Sequence, residues 1–450
     1  MQTRRAVALI GVLLALGTLG GALSACANVS NATVHTADED RAPLTLASAD
    51  IPARNASVLI AMTATPLPTP SPAPEQRTIR VWWPDELYPA EGSEAAAILQ
   101  SQFDLFRQTY NSYAVEIRRK RSHGPGGILA SLRTAAPVAP GALPDLTLMR
   151  REDLITAAQE GLIVPLDEWI PADLSGSNLF SGVRALGEVD GVLYGIPYAL
   201  NARHTLYRAS VFDTPPQTFA DVLQAETPYL FAANDAPVSW TVLLQYLAAG
   251  GQLVDGKGAA TLSPDALQIV LEFYAEGEAR GVFSPALLDY TQPQDYWNAF
   301  LSGEAHLVTV ETQTYLSQRD AVQSVAPSII PTADGEPLTV LDGWMWVVTT
   351  PNPDHQRQAL AFLSWMMRVS HQSAFSEAFG VLPSQVRALR LWEDRAYADF
   401  ARALITTAIV FPEVRRNNVA AIALQNAVAD VIKGVPPQTA LDEALASVES

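Results

Sequence analysis

The chain has 450 residues, of which 48% are hydrophobic and 17% charged, so it can bury a large core and is neither disordered nor collagen-like. Its 29 basic and 47 acidic side chains give a formal net charge of −18 at pH 7, which argues against a nucleic-acid partner. A single cysteine excludes an internal disulfide and any cysteine-rich metal centre. At about 150 residues per domain, the length predicts more than one domain.

The N-terminal residues have the order of a secretory signal. Two arginines precede an apolar run over residues 6–19, and the motif Leu23-Ser24-Ala25-Cys26 follows. This order resembles a bacterial lipoprotein signal, which implies that residues 1–25 are removed and that Cys26 is lipidated as the mature N-terminus. The alternative is an uncleaved transmembrane anchor, because residues 6–25 are about long enough to span a bilayer. Both interpretations place the remaining chain outside the cytoplasm, at the outer face of the membrane or in a periplasm.

Residues 26–76 are rich in Pro, Ser and Thr and end in alternating prolines from Pro66 to Pro74. Alternating prolines favour the extended polyproline II conformation. We therefore expect this segment to be a semi-rigid tether between the anchor and a folded body.

The folded body begins near Arg77 and alternates strands with helices. Residues 78–83 form an apolar-rich run that predicts a buried strand ending at Pro84. A helix over 93–110 and strands over 113–117 and 146–148 follow. Farther along, the segment 190–197 predicts a tight hairpin followed by a strand. Strands that alternate with helices predict a mainly parallel sheet covered on both faces, so the expected fold class is α/β.

Motifs of the common enzyme classes are missing from the sequence. It contains no His-x-His or His-Glu-x-x-His spacing and no Gly-x-Ser-x-Gly elbow, so we expect no metal, no other cofactor and no hydrolase-type serine. Residues 251–258 imitate a phosphate-binding loop but end in Gly258, where magnesium binding requires Ser or Thr, and a surface turn is the favoured interpretation. Paired acids such as Asp85-Glu86 fit either a glycosidase or a solvated, ligand-binding role, and we favour the second.

Aromatic and basic residues indicate where a solute could bind. Trp82 and Trp83 end the first strand, where ligands of parallel sheets gather, and adjacent strand residues point to opposite faces, so only one of them can face a solute. Trp344 follows Gly343, where the missing side chain would let the backbone approach a bound molecule. The basic run 118–121 is either a solvated strand end or a grip for an anionic or hydroxyl-rich ligand.

Five short segments of the body follow one another in a characteristic order. They are Pro144-Asp145-Leu146, GLIVPL at 161–166, DGVLYGIP at 190–197, FLSGEA at 300–305 and DGWMW at 342–346. In this order they resemble bacterial extracellular solute-binding proteins of ABC importers, of the large sugar-binding, maltose-binding-like type.

The resemblance implies two α/β lobes joined by crossing strands, with a ligand cleft that closes by hinge motion. By position, the crossings would fall near 198–202, 305–309 and 341–347, and the lobes would comprise 77–198 with 309–341, and 202–305 with 348–450. Two residues depart from the family pattern: Gln313 stands where a tryptophan is usual, and Arg208 follows Tyr207 where an asparagine is usual. These departures mean that the resemblance does not identify the ligand.

We expect ligand contacts from aromatic, charged and amide side chains near the predicted cleft. These residues are Trp82, Trp83, Asp85, Arg150, Glu311, Gln313, Asp342 and Trp344.

The leading hypothesis is a monomeric, lipid-anchored receptor that captures a small solute, a sugar or an oligosaccharide, for an ABC permease in the membrane. Such a protein is not an enzyme, because no bond is made or broken. The alternatives are a secreted, lipid-anchored glycoside hydrolase and a cell-surface adhesion protein. The missing nucleophile and metal motifs count against the hydrolase, although a fold by itself does not determine function.

Overall fold

The structure is a computed structural model that describes residues 77–171, 174, 178–235, 237–410 and 418–449. The expected signal peptide at 1–25, the tether at 26–76 and Cys26 therefore lie outside the described residues. None of the described helices is both long enough and apolar enough to cross a membrane.

The described residues contain both strands and helices. The strands are β1 (Arg77–Pro84), β2 (Tyr113–Lys120), β3 (Leu146–Arg150), β4 (Glu188–Val189), β5 (Val192–Leu193), β6 (Gly195–Arg208), β7 (Tyr229–Leu230), β8 (Leu307–Glu311), β9 (Val325–Ser328), β10 (Thr339–Val348), β11 (Leu382–Pro383) and β12 (Ala408–Val410). The helices are α1 (Glu94–Thr109), α2 (Ile128–Ala135), α3 (Arg151–Gln159), α4 (Phe219–Ala225), α5 (Trp240–Ala248), α6 (Pro264–Ala279), α7 (Trp297–Ser302), α8 (Thr312–Gln318), α9 (Pro353–Met366), α10 (Val369–Phe379), α11 (Val386–Leu389), α12 (Arg395–Thr406), α13 (Val419–Ile432) and α14 (Pro437–Glu449).

Local sequence explains where several of these elements begin and turn. The hydroxyl of Ser93 accepts a hydrogen bond from the amide of Ala96, so α1 starts at a capped end. The side-chain oxygen of Asn352 likewise accepts from the backbone N–H of Asp354 at the start of α9, and a proline occupies the first helical position. Between β4 and β5, Asp190 and Gly191 both have positive φ, the backbone that a tight two-residue hairpin requires. The hairpin expected at this position is therefore confirmed.

The first sheet is built on the parallel strands at the start of the body. β1 pairs in parallel with β2 on one side and with β3 on the other. β10 pairs antiparallel with β3, and the first part of β6 pairs antiparallel with β10. The sheet is therefore mixed rather than mainly parallel, because two strands from later in the chain return to it.

The second sheet uses the other end of β6. From Arg203 to Tyr207 this strand pairs antiparallel with β8, and from Thr205 to Arg208 it pairs antiparallel with β9. β7 then pairs in parallel with β8. A single strand thus belongs to both sheets, and its hydrogen-bonding partner changes between Ala202, opposite Leu341, and Arg203, opposite Glu311.

Each sheet has its own hydrophobic core, so the body has two lobes. In the first lobe, Trp83 is wholly buried and contacts the rings of Phe103, Tyr198, Trp346 and Phe375 with centroids 5.4 to 6.4 Å apart. In the second lobe, α5, α6, α13 and α14 enclose a separate core together with residues of β7 and β8. The expected two-lobed α/β architecture is present.

The expected lobe boundaries are wrong in their discontinuous parts. Residues 309–341 were assigned to the first lobe, but β8 and β9 lie in the second sheet. Residues 348–450 were assigned to the second lobe, but α9, α10 and α12 pack in the first-lobe cores. Only α13 and α14, at the end of the described chain, pack in the second-lobe core.

The physical reason is the direction of β10. This strand runs antiparallel to β3 and enters the first sheet, so the helices that follow it must cover that sheet. Of the strands at the expected crossings, β6 pairs in both sheets, whereas β10 lies in the first sheet and β8 lies in the second.

A buried histidine occupies the place where β6 changes sheets. His204 is fully buried; its Nε2 lies 3.1 Å from the Tyr397 hydroxyl on α12, and its Nδ1 lies 3.0 Å from the Thr205 carbonyl oxygen. The rings of Tyr315 and Phe400 complete its surroundings. Burial lowers the pKa of His204 from 6.5 to about 4, with the Thr205 carbonyl opposing this shift, so the ring is neutral at pH 7.

Replacing Trp83 with Ala should lower the free energy of unfolding by about 3 to 5 kcal/mol, because the substitution leaves a large cavity inside an aromatic core. Urea denaturation measures the change. Leu105→Ala on α1 is the control; this side chain is 45% exposed, and its loss should cost less than about 0.5 kcal/mol. Equal effects of the two substitutions would contradict the assignment of Trp83 to the core.

His204 should make stability depend on pH between about 6.5 and 4. In that range the unfolded chain protonates this side chain and the folded chain does not, so the free energy of unfolding falls as pH falls, by about 3 kcal/mol in total at pH 4. Urea titrations of the native protein and of His204→Gln at several pH values isolate this contribution. The native protein should lose more stability than the variant below pH 6.5, and parallel curves would contradict a buried neutral histidine.

Candidate functional site

The carboxyl end of β3 and the neighbouring part of β10 bring together three of the expected ligand residues. Trp344 lies opposite Arg150 in the β3–β10 ladder, and Asp342 precedes Trp344 by two residues on the same face of β10. The Arg150 guanidinium carbon lies 5.0 Å from the Trp344 ring centroid, and its Nη1 donates to Asp342 Oδ2 at 2.8 Å. Both charged side chains are about one-third exposed, whereas Trp344 is 5% exposed beneath them.

The same line of polar groups continues onto β6 and β8. Asn201 is the β6 partner of Asp342, and its Nδ2 donates to Glu311 Oε2 at 2.6 Å. Arg203 Nη2 donates to the other carboxylate oxygen of Glu311 at 2.7 Å. The backbone N–H of Gln313 donates to Asn201 Oδ1 at 3.2 Å.

Arg150, Asp342, Asn201, Glu311 and Arg203 thus follow one another across adjacent strands, and we call them the polar row. The row passes through the point where β6 changes sheets. Sequence reasoning missed Asn201 and Arg203. Their only signal was an alternating polar pattern in the strand after the hairpin, and that pattern does not identify the partner strands.

A second aromatic ring lies at the other end of the polar row. The Arg203 guanidinium carbon is 4.7 Å from the ring centroid of Trp240, which begins α5. These two residues, with Glu311, Asp235 and Tyr296, line a cavity of about 130 Å³. Tyr296 donates its hydroxyl to the Thr309 carbonyl at 2.6 Å, and burial raises the pKa of this phenol, so it remains a neutral donor.

Gln313 faces a different cavity, of about 350 Å³. Glu311 borders this cavity too, and Trp297 of α7 contributes its aromatic part. The other lining residues carry amides and hydroxyls: Gln294, Thr314, Ser317 and Gln318. Gln313 contributes an amide to this cavity, and its aromatic surface comes from Trp297 of another helix.

The two tryptophans of β1 do not join the polar row. Trp83 is wholly buried and donates its indole N–H to the Leu87 carbonyl at 3.0 Å, so the expectation that it could contact a ligand is corrected. Trp82 is 5% exposed and packs with Met149 and Met345, in a different core from Trp344. Lys120 Nζ lies 3.9 Å above its ring.

Asp85 and the basic run form the rim at the ends of β1 and β2. Arg119 Nε lies 3.2 Å from Asp85 Oδ1, and both side chains are exposed by more than one-third. Arg118 pairs with Glu116 on the surface. The run is therefore a partly solvated strand end, and the ion pair holds Asp85 at the carboxyl edge of the first sheet.

Gly343 has a different role from the one expected. A Cβ at this position would lie 2.3 Å from the Ala199 carbonyl oxygen of β6. The ladder between these strands shifts register between Trp344 and Met345. Gly343 therefore lets two strands approach each other at an irregularity in their pairing. The space that a side chain would need is occupied by the backbone of β6, so it is not open to a bound molecule.

Among the described residues, no group of three or more His, Cys, Asp or Glu side chains is placed to hold a metal ion. The chemistry of the polar row is that of charge-assisted hydrogen bonding, with both donors and acceptors at a partly exposed surface.

Comparison with known proteins gives an independent result. A family model for bacterial extracellular solute-binding proteins matches residues 103–391. A maltotriose-binding protein from Pyrococcus abyssi is 26% identical over 127 residues, which are 28% of this chain and 27% of that protein. The chain therefore aligns with about a quarter of the length of this curated relative.

Solved structures share the fold over most of the body. The cyclic alpha-maltosyl-1,6-maltose binding protein from Arthrobacter globiformis has a TM-score of 0.64 at 18% identity, covering 82% of this chain and 97% of that one. The maltose-binding periplasmic protein MalE from Listeria monocytogenes, in complex with maltose, has a TM-score of 0.64 at 16% identity, covering 83% and 97%. At these identities the similarity shows the two-lobed fold.

The matched family consists of solute-binding proteins, which agrees with the expectation that the chain is not an enzyme. With 103–391 covered by the family model, the match includes β3, the switch in β6, β8 and β10, which together carry the polar row. The chain belongs to the family of bacterial extracellular solute-binding proteins.

Proposed function

We propose that the protein is the lipid-anchored receptor of an ABC importer and binds an uncharged carbohydrate at the polar row, between its two lobes. The observation that carries this proposal is the row itself, which connects the two sheets. A solute bound there contacts both lobes at once.

The charges of the polar row favour an uncharged, hydroxyl-rich solute. Arg150 is paired with Asp342, and Arg203 is paired with Glu311. A strongly charged solute would have to break one of these pairs, whereas a hydroxyl can donate to a carboxylate and accept from a guanidinium without doing so. Neutral sugars carry several hydroxyls of this kind around the ring.

Aromatic side chains near the row suit the apolar faces of a sugar ring. Trp344 lies beneath Arg150, Trp240 lies beside Arg203, and Trp297 borders the cavity at Gln313. Sugar rings carry C–H groups that pack on aromatic surfaces while their hydroxyls reach polar groups. We assign Asp85 to the rim rather than to the row, and Trp82 lies buried beneath Lys120 of that rim.

The similar proteins support a carbohydrate ligand. Those reported above bind maltotriose, cyclic alpha-maltosyl-1,6-maltose and maltose. Maltose and maltotriose are therefore the first probes for this chain.

Binding should close the lobes around the solute. Only the short strand segments near Ala202 and Leu341 have to change their backbone angles, and each lobe keeps its own core. The closed form would then be the one presented to a permease, and the anchor at Cys26 would keep the receptor near the membrane.

Asp342→Asn should weaken sugar binding by roughly 10- to 150-fold, because it removes a charge-assisted acceptor and leaves Arg150 without its carboxylate. The experiment is a thermal-shift screen of the full chain with maltose, maltotriose, an amino-acid mixture, a tripeptide and spermidine. Calorimetric titration of the best sugar into the native protein and the variant follows.

The control variant is Asp354→Asn, whose carboxylate is 70% exposed at the start of α9. Its affinity should stay within about twofold of the native value. Stabilisation by the tripeptide or spermidine and by no sugar would refute the carbohydrate assignment, and normal binding by Asp342→Asn would move the site away from the polar row.

Cys26→Ser should abolish lipidation and leave an unprocessed precursor, because the thioether can form only on the Cys26 thiol. Metabolic labelling of cells with a radioactive fatty acid, followed by gel electrophoresis, measures this. Ser24→Ala, a change within the same motif that keeps the thiol, is the control. Labelled Cys26→Ser protein would show that the anchor lies elsewhere.

A further inference from the structure

A side-chain hydroxyl joins β6 to β10 just beyond the point where their backbone ladder ends. The ladder ends at Ala202, which lies opposite Leu341. Thr339 Oγ1 accepts the backbone N–H of the next β6 residue, Arg203, at 3.2 Å and donates its hydroxyl hydrogen to the Arg203 carbonyl oxygen at 2.7 Å. In a regular ladder these two backbone groups would pair with the backbone of the neighbouring strand. A single hydroxyl therefore takes the place of a strand partner for Arg203.

This hydroxyl lies where water cannot take its place. Thr339 is wholly buried, and its own backbone pairs with Ala408 of β12. A buried backbone N–H or C=O that loses its partner is costly. The neighbouring peptide group is supported in the same way, because the wholly buried Thr312 donates its hydroxyl hydrogen to the Ala202 carbonyl oxygen at 3.1 Å. The backbone at the change of sheets thus depends on two threonine hydroxyls.

A single hydroxyl constrains two sheets differently from a backbone ladder. A ladder joins several residue pairs in a fixed register, so its strands cannot rotate against each other without breaking several hydrogen bonds. The two hydrogen bonds of Thr339 Oγ1 share one atom and reach one residue. They hold the backbone of Arg203 at a point and leave the direction of the strand beyond it free to change.

The residue held in this way carries one of the charges of the polar row. Arg203 Nη2 donates to Glu311 Oε1 at 2.7 Å, and the guanidinium carbon lies 4.7 Å from the ring centroid of Trp240. The Arg203 side chain is 17% exposed, so it still reaches the surface of the row. Because the backbone aims the side chain, a shift of the Arg203 peptide group would move the guanidinium relative to both partners.

We propose that the Thr339 hydroxyl is a positioning group for Arg203. It fixes the Arg203 backbone where β6 changes sheets, and through that backbone it fixes the guanidinium that the solute meets. Thr339 itself does not touch the solute. The inference rests on the proposed function, because that function assigns Arg203 to the solute site.

Thr339→Val removes the hydroxyl with little change in side-chain size, so the Arg203 N–H loses its acceptor. Exchange of the Arg203 amide hydrogen, followed by NMR on the full chain, should become at least roughly tenfold faster. Calorimetric titration with maltose or maltotriose, whichever binds the native chain more tightly, should show roughly tenfold weaker binding. Thr339→Ser keeps the hydroxyl and should stay within about twofold of the native values in both measurements.

The matched control is Thr349→Val, at the opposite end of β10. Thr349 is 4% exposed, and its hydroxyl donates to the Pro144 carbonyl oxygen. This variant also loses a buried hydrogen bond from a threonine hydroxyl to the backbone, so its melting temperature should fall as that of Thr339→Val does. Its Arg203 exchange rate and its affinity for the sugar should remain native, which separates positioning from general loss of stability.

A double-mutant cycle tests whether Thr339 acts through Arg203. Arg203→Gln removes the guanidinium and keeps the backbone groups that Thr339 binds. In that background, Thr339→Val should weaken sugar binding by less than about twofold more, because no guanidinium remains to be misplaced. Fully additive losses would show that Thr339 acts on the site by another route and would overturn the proposal.

Three further results would overturn it: unchanged Arg203 exchange in Thr339→Val, faster exchange with unchanged affinity, or equal changes in Thr349→Val. The exchange measurement needs no solute. If no sugar binds the native chain, the carbohydrate assignment fails, whereas Arg203 exchange still decides whether Thr339 holds this residue, and the affinity comparison uses the solute of the screen that does bind. Circular dichroism shows that each variant is folded.

Discussion

The rest of the structure depends on the hydrogen bonding of strand β6, which belongs to both sheets. Its first half is hydrogen-bonded to β10 in one sheet, and its second half is hydrogen-bonded to β8 and β9 in the other. A backbone ladder tolerates such a change of partner over only a residue or two, because every buried N–H and C=O must remain paired. Asn201 and Arg203 lie on either side of this change, so one pairs with the first sheet and the other with the second. The polar row forms at this point. The buried, neutral His204 on the opposite face ties the same point to α12.

The polar row is held together by charge pairing rather than by isolated charges. Glu311 accepts from Asn201 and Arg203 through separate oxygens, and Asp342 accepts from Arg150. Partly buried arginines of this kind are stable only when a carboxylate accompanies them. The resulting surface has donors and acceptors in a fixed order but little net charge, although the chain as a whole is strongly acidic. Under the proposed function, this contrast favours a neutral, hydroxyl-rich solute over an ionic one.

The tryptophans of β1 and β10 differ in their surroundings according to where they lie along their strands. Trp83 and Trp346 meet edge to face, with ring centroids 5.4 Å apart in the first-lobe core, so they cannot reach a solute. Trp344, two residues before Trp346 on the same face, lies at the end of that core and carries Arg150 on its ring. Along one strand face, the environment thus changes within two residues from wholly buried core to the partly exposed polar row. Side-chain alternation determines which residues share a face, but the length of the covering helices determines where the core ends.

Hydrophobic patterning and turn chemistry in the sequence were enough to predict the alternating strands and helices of the first lobe, the hairpin at 190–193 and an α/β fold class, whereas the two lobes were implied by the family resemblance. These features depend on contacts between residues close in sequence, so the local pattern contains them. The direction of β10, the return of α9 to α12 to the first lobe and the pairing of Asn201 with Glu311 depend on contacts between distant segments, which no local pattern contains. Arg150, Glu311, Gln313, Asp342 and Trp344 could be proposed from a resemblance. Only the tertiary structure paired Arg150 with Asp342, joined Glu311 and Gln313 through Asn201 and placed Trp83 in the core. Whether a strand tryptophan is buried or exposed is decided by what packs on it, and for Trp83 that is a set of rings from helices and strands far away in the chain.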